Sequence, residues 1–113
     1  MDNVSILERA NAAILKGDYE SFLTYCSEDT VWRLVGYGIL WGKVDVRNFL
    51  LENFKDPPKF DVWKFIPEGD YVTIIGKIQN KTKDGKSFKS SYCNVWKIQD
   101  GKLAELTALY VRN

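Results

Sequence analysis

Apolar residues recur along this chain at two different periods, and the change of period divides it. Ile6, Ala10, Ala13 and Ile14 return at helical spacing with Leu7 beside them, and Asp2 or Asn3 supplies a cap, so a first helix is predicted to about Lys16. Gly17 ends it and Asp18 caps a second helix, in which Tyr19, Phe22, Leu23 and Cys26 share one face while Glu20 and Thr24 point away. The triplet Ser27-Glu28-Asp29 is read as its close. Residues 30–35 are β-branched and apolar and predict a strand, after which Gly36-Tyr37-Gly38 turns the chain. A third helix is predicted over about residues 44–54, with Val46, Phe49, Leu50 and Asn53 on one face and Pro57-Pro58 as its stop.

Beyond the prolines the period becomes two. Residues 60–66, 71–81, 87–98 and 103–111 read as four strands, joined by segments containing Gly69-Asp70, Asp84-Gly85 and Asp100-Gly101. Asp-Gly between alternating apolar runs is a short-hairpin signal, so the last three strands form a meander. Gly76 falls in mid-strand, where a bulge or sharp bend is expected. Helices before strands give an α+β fold, with three N-terminal helices packed in a curved, mostly antiparallel sheet that forms an open cone. Its 113 residues make one domain, 1–113, able to bury roughly two-thirds of the chain's surface without staples.

Composition narrows the function classes. Sixteen basic and fifteen acidic residues leave a net charge of +1, and the basic ones are scattered. Without a basic stripe there is no electrostatic footprint for nucleic acid, so no nucleic-acid partner is expected. Asp2, Glu8 and Arg9 interrupt the first apolar positions, so neither a signal peptide nor a membrane span is predicted there. The two cysteines, Cys26 and Cys93, lie far apart and fit reduced thiols in a cytoplasmic protein. Histidine is absent, which removes Ser-His and Cys-His nucleophiles, Asp-His bases and the commonest transition-metal ligand. No metal and no cofactor are expected. Sixteen aromatic rings, four of them Trp, suggest a core or cavity walled by rings.

Several local runs occur in a familiar order: Ala13-Ile14-Leu15-Lys16-Gly17-Asp18-Tyr19-Glu20, Ser27-Glu28-Asp29-Thr30-Val31-Trp32, Trp41-Gly42-Lys43, and the closing stretch from Asn94 through Trp96, Asp100 and Gly101 to Leu103. Together they resemble the nuclear transport factor 2-like superfamily, and within it the SnoaL-like and ketosteroid-isomerase-like branch, over nearly the whole chain. The resemblance implies a cystatin-like cone. It does not imply one reaction, because this superfold hosts isomerases, dehydratases, hydrolases, cyclases and binders. The isomerases of this family use a carboxylate base on the first strand, with a first-helix Tyr and a protonated Asp holding the enolate oxygen. Aligned on Gly17-Asp18, Asp29 and Asp100-Gly101, those positions fall on Leu34, Ala10 and Asn94. Leucine accepts no proton, so the isomerase mechanism is not matched; an amide at Asn94 retains a hydrogen-bond donor. The Asp-Arg-Asp set of related epoxide hydrolases is not matched either, since Arg33 is expected on the opposite side of its strand from Trp32 and Leu34.

Strand alternation from Asn94 supplies a candidate pocket lining: Phe88, Ser90, Tyr92, Asn94 and Trp96 on one strand, and Leu106, Ala108 and Tyr110 on the next. Trp32 and Leu34 face in from the first strand, and Ala10 and Ile14 from the first helix. Such walls suit a flat, mostly apolar small molecule bearing one or two oxygens. Asn94, Tyr92 and Tyr110 are the candidates for any chemistry. Trp32, Trp96 and Tyr92 read equally well as core fillers, and Tyr37 and Trp41, in the loop before the third helix, as a gate or as packing over the core. Glu105 and Cys93 are expected outside the cavity, and Lys81, Lys83, Lys86 and Lys89 on a solvated face. Three functions remain open: a ligand-binding SnoaL-like domain; an isomerase, dehydratase or hydrolase of polyketide-, steroid- or terpene-like molecules; and a non-enzymatic dimeric interaction protein. A homodimer through the outer sheet face, near Ser91, Cys93, Val95, Thr107, Leu109 and Val111, is expected.

Overall fold

A computed structural model describes residues 2–112. Helix α1 runs Asn3–Leu15 and α2 Tyr19–Thr24, followed by strands β1 Cys26–Leu34 and β2 Gly38–Trp41, helix α3 Gly42–Asn53, and strands β3 Lys59–Glu68, β4 Tyr71–Lys81, β5 Ser87–Gln99 and β6 Lys102–Arg112. Cap chemistry sets the first two helices. The Asp2 carboxylate accepts from the Ser5 backbone N–H at 2.8 Å, and Asp18 accepts from the backbone and hydroxyl of Ser21 at 3.1 and 2.6 Å. Among the described residues, no helix is long and apolar enough to cross a membrane.

The strands form one unclosed six-stranded sheet in the order β2-β1-β6-β5-β4-β3. Every neighbouring pair is antiparallel except β1 with β6, which is parallel. The helices lie against its inner face, and Leu7, Phe22, Val46, Leu50, Ile74, Ile98, Leu103 and Leu106 are sealed between the layers. This is the α+β cone expected from the order of the elements.

Three local expectations need correction. Cys26 does not close the face of α2; it opens β1, paired with Leu103. Ser27-Glu28-Asp29 is likewise strand, because the register slips between Cys26 and Val31 and the Thr30 hydroxyl donates to the Leu103 carbonyl at 3.0 Å. The chain therefore leaves the helix early to reach β6, whose Leu103 N–H donates to the Tyr25 carbonyl at 2.8 Å. Trp41 is not in a loop: Gly38–Trp41 is an edge strand hairpinned onto β1, too short to be recognised by alternation.

Two turns carry the meander. At Asp100-Gly101 both residues have positive φ, 53° and 73°, the mirror-image turn whose twist matches antiparallel strands. The other special position is Gly76. The register of β3 against β4 shifts between Val62 and Lys64, with Gly76 paired to Val62, so the irregularity lies on β3 opposite the glycine. A Cβ at Gly76 would stand 2.3 Å from the Asp61 carbonyl oxygen and 3.1 Å from the Val62 Cα. Both obstacles are backbone and neither yields by a rotamer change. We expect Gly76→Ala to destabilise the protein by about 1–3 kcal/mol through overpacking. Urea unfolding reads this directly, and an unmoved midpoint would mean that the two strands do not approach this closely.

Candidate functional site

The helices do not fill the cone to its rim. A cavity of about 690 Å³ opens between the end of β1, the second half of α3, the β4–β5 hairpin and the end of β6. That volume lies within the usual range for small-molecule sites. Leu34, Phe49, Ile78 and Phe88 make apolar wall, Ser90, Asn80 and Tyr110 supply polar points, and Glu52, Lys55, Asp56, Lys81, Lys83 and Arg112 belong to the mouth. Tyr37 lines the same opening, its ring edge-on to Phe49 at 5.9 Å.

Of the residues that alternation selects, Leu34, Phe88, Ser90 and Tyr110 line this cavity. Ala10, Ile14, Trp32, Tyr92, Asn94, Trp96, Leu106 and Ala108 face the same interior but are packed into the closed core behind it. Trp32 meets Phe22, Phe49 and Trp96 edge-on, at 5.9, 6.3 and 5.7 Å between ring centroids. Tyr92 packs against Phe60 and Tyr110. Trp41 takes no part and is exposed on the edge strand. Glu105 lies outside, paired with Arg33 at 3.2 Å and Lys97 at 3.8 Å. Lys81 and Lys83 border the mouth of the cavity, a place that their polar surroundings in the sequence do not reveal. Phe49, Ile78, Asn80 and Arg112 were also not selected; β4 alternation through Ile74 and Ile78 is the signal that points to two of them.

The core behind the cavity contains polar atoms with no partner. Trp32, Trp96 and Asn94 are only 5%, 4% and 8% exposed, yet both indole N–H groups and the Asn94 Oδ1 lack a hydrogen bond, as does the Oδ1 of Asn80 on the cavity wall. A buried group left unsatisfied costs about 1–3 kcal/mol, so such atoms are sparse unless something meets them. Burial pushes the Tyr92 phenol from its ordinary 10.0 up to about 12, with Tyr110 and Asp61 adding to the rise. Tyr110 leaves 45% of its surface accessible, but its hydroxyl end is desolvated and its pKa also rises, an effect that the nearby Asn94 side chain opposes. Leu34 is buried on the wall and adds an apolar surface to it.

A second, more open depression of about 530 Å³ lies over Cys26, Glu28, Lys43, Asp100 and Lys102. Its two lysines are already engaged, Lys43 with Glu28 at 3.1 Å and Lys102 with the Thr24 carbonyl at 2.7 Å. Burial raises the Cys26 thiol to about 12, so it is no nucleophile at neutral pH. Among the described residues, no three Cys, Asp or Glu side chains gather to hold a metal ion.

These shifts have a consequence at alkaline pH. The unfolded chain begins to lose the Cys26 proton near 9.0 and the Tyr92 proton near 10.0, while the folded protein holds both to about 12. In that window the unfolded state binds fewer protons, so stability falls as pH rises, and below 9.0 neither group contributes a slope. The urea midpoint should decline from about pH 9 towards pH 12, less steeply in Cys26→Ala and in Tyr92→Phe. An identical slope in both variants would assign the effect to other groups.

With the geometry in hand, comparison with known proteins is informative. Among curated protein sequences none matches the chain significantly. Solved structures do. A protein of unknown function with a cystatin-like fold from Xanthomonas campestris superposes with a TM-score of 0.84 at 21% identity, covering 98% of this chain and 92% of that one. A nuclear transport factor 2-like protein of unknown function from Burkholderia pseudomallei gives 0.85 at 17% identity, covering 98% and 92%. TerC, co-crystallised with polyporic acid, gives 0.84 at 19% identity, covering 96% and 91%. At these identities the likeness establishes the fold. The sequence itself matches the profile of the SnoaL-like domain over residues 7–106, from α1 to the middle of β6, and the chain belongs to that family.

Proposed function

We propose that this SnoaL-like domain binds a small, mostly apolar organic molecule in the mouth of its cone and acts as a homodimer in the cytoplasm. The observation that carries the reading is the cavity, with apolar walls of Leu34, Phe49, Ile78 and Phe88 and an amide acceptor, Asn80 Oδ1, left unpaired on its wall. Asn94 lies deeper, beside the Tyr110 hydroxyl that reaches the same cavity. A flat ligand held by rings and donating to the Asn80 amide oxygen satisfies both features. TerC, with the same fold, has been crystallised with polyporic acid, which is in keeping with a small organic ligand here.

Turnover is not part of this reading. A carbon acid yields its proton only if a base accepts it, and the base position is Leu34. The two carboxylates at the cavity, Glu52 and Asp56, stand at its mouth, and Asp56 is paired with Lys81 at 3.7 Å. Tyr92 and Tyr110, kept neutral by burial, are hydrogen-bonding groups at neutral pH and not proton acceptors.

The dimer reading rests on the outer sheet face. Ile75, Cys93 and Leu109 sit side by side across β4, β5 and β6, with Val95 and Thr107 paired next to them. Trp63, bulged out of β3, is 54% exposed beside this row, with Lys77 over its ring. A homodimer about a twofold axis requires only that such a patch complement itself. Both thiols are unpaired, Cys26 buried and Cys93 half-buried, which suits a reducing compartment.

Two measurements test these readings. N-phenylnaphthylamine, a neutral fluorescent probe whose amine N–H can donate to Asn80 Oδ1, should bind the wild-type protein, and Asn80→Leu should weaken it by about 1–3 kcal/mol while moving the melting temperature little. If instead the variant melts early and binds normally, Asn80 is a structural residue. In sedimentation the wild-type protein should be a dimer at about tens of micromolar, and Leu109→Lys should give monomers that melt as before. Wild-type monomers at that concentration would remove the sheet-face dimer.

A further inference from the structure

The charges around the cavity are not balanced. Its lining includes four cationic side chains, Lys55, Lys81, Lys83 and Arg112, and two carboxylates, Glu52 and Asp56. The chain as a whole is nearly even, with sixteen basic and fifteen acidic residues, so the excess is local to this opening. Lys81 and Asp56 neutralise each other at 3.7 Å. None of the ion pairs among the described residues engages Lys55, Lys83 or Arg112.

Arg112 is also held in place. Its guanidinium lies over the Phe88 ring, 4.3 Å from the centroid, and Phe88 is part of the apolar wall. Stacking on a ring leaves the edge of a guanidinium, with its N–H groups, open to an in-plane acceptor. The planar fork suits two oxygens at once, as in a carboxylate or sulfonate. A cleft with one excess sign and low-dielectric walls concentrates the field on what enters it. Cations at the mouth with rings behind them fit a molecule that is flat and apolar at one end and anionic at the other.

Building on the pocket reading above, we infer that the ligand is an aromatic or polycyclic organic anion, its rings against Phe88, Ile78 and Leu34 and its oxyanion on Arg112. A neutral molecule of the same shape enters less favourably, because it leaves the cations of the mouth without a counter-charge.

A matched pair of probes separates this inference from the pocket itself. Anilinonaphthalene sulfonate and N-phenylnaphthylamine share their rings and differ in the sulfonate. Fluorescence titration of the folded wild-type protein should find the sulfonate about ten-fold tighter, the scale of one charge-assisted contact. Added salt should weaken the sulfonate and leave the neutral probe alone. Arg112→Gln should abolish most of the preference while changing the neutral probe less than about two-fold. Lys64→Gln, the same change of charge on exposed β3 outside the cavity, should leave the preference intact. Equal affinity for the two probes overturns the anion inference and leaves the pocket standing. A preference lost equally in Lys64→Gln overturns it too, since net charge would then be the cause. If neither probe binds, the pocket falls and the inference with it.

Discussion

The approach of the β3 backbone to Gly76 determines most of what lies inside this molecule. An antiparallel sheet with one wet face packs well against helices only if it curls, and curling crowds the backbones where the bend is sharpest. Here the crowding falls where the Asp61 carbonyl occupies space that any side chain on β4 would need. With the bend in place, the inward residues of the long strands β4 and β5 close over α1 and α2 at one end of the cone. The helices end before the other rim, because α3 terminates at Asn53 and Pro57 comes up against Gly17. The Tyr19 hydroxyl donates to the Phe54 carbonyl and ties the α3 terminus to α2. The cavity is the space between that fixed terminus and the β4–β5 hairpin.

The fold is legible in the sequence where pattern and turn chemistry agree. Gly17-Asp18, the period change after Pro58, and Asp100-Gly101 each have a local physical meaning that tertiary contacts do not override. Ser27-Glu28-Asp29 failed as a helix end because its role is set by a partner seventy-odd residues away: the Leu103 carbonyl draws hydroxyls at positions 27 and 30 into a strand. Local propensity carries no trace of that pairing. The edge strand β2 escaped for a simpler reason, since four residues show too little alternation to be distinguished from loop.

Alternation predicts which side of a strand faces inward, and does so correctly along β5, where Ser90, Tyr92, Asn94, Trp96 and Ile98 are all buried. It does not predict how far along the strand the helices stop. The inward set therefore divides at a point no periodicity marks: Phe88 and Ser90 border the cavity, while Tyr92, Asn94 and Trp96 belong to the core. The cationic mouth was illegible for the complementary reason. Lys55, Lys83 and Arg112 come from three separate segments, each ordinary as a solvated charge, and only folding sets them round one opening.

The division between core and mouth also sets which polar groups a bound molecule can reach. The protein's interior holds two indole donors and one amide oxygen without a hydrogen bond, more polar capacity than a purely structural core needs. An interior built only for stability would replace such groups with aliphatic side chains of similar volume, at little loss and with relief of their desolvation. Leu34 on the cavity wall is, by contrast, wholly apolar. Polar groups of the first kind suit recognition, because a buried charge demands a counter-ion whereas an amide or indole demands only one oriented partner. On the cavity wall the Asn80 amide and the Tyr110 hydroxyl can orient a polar atom of a flat molecule, and the stacked guanidinium of Arg112 can hold charge at its outer end.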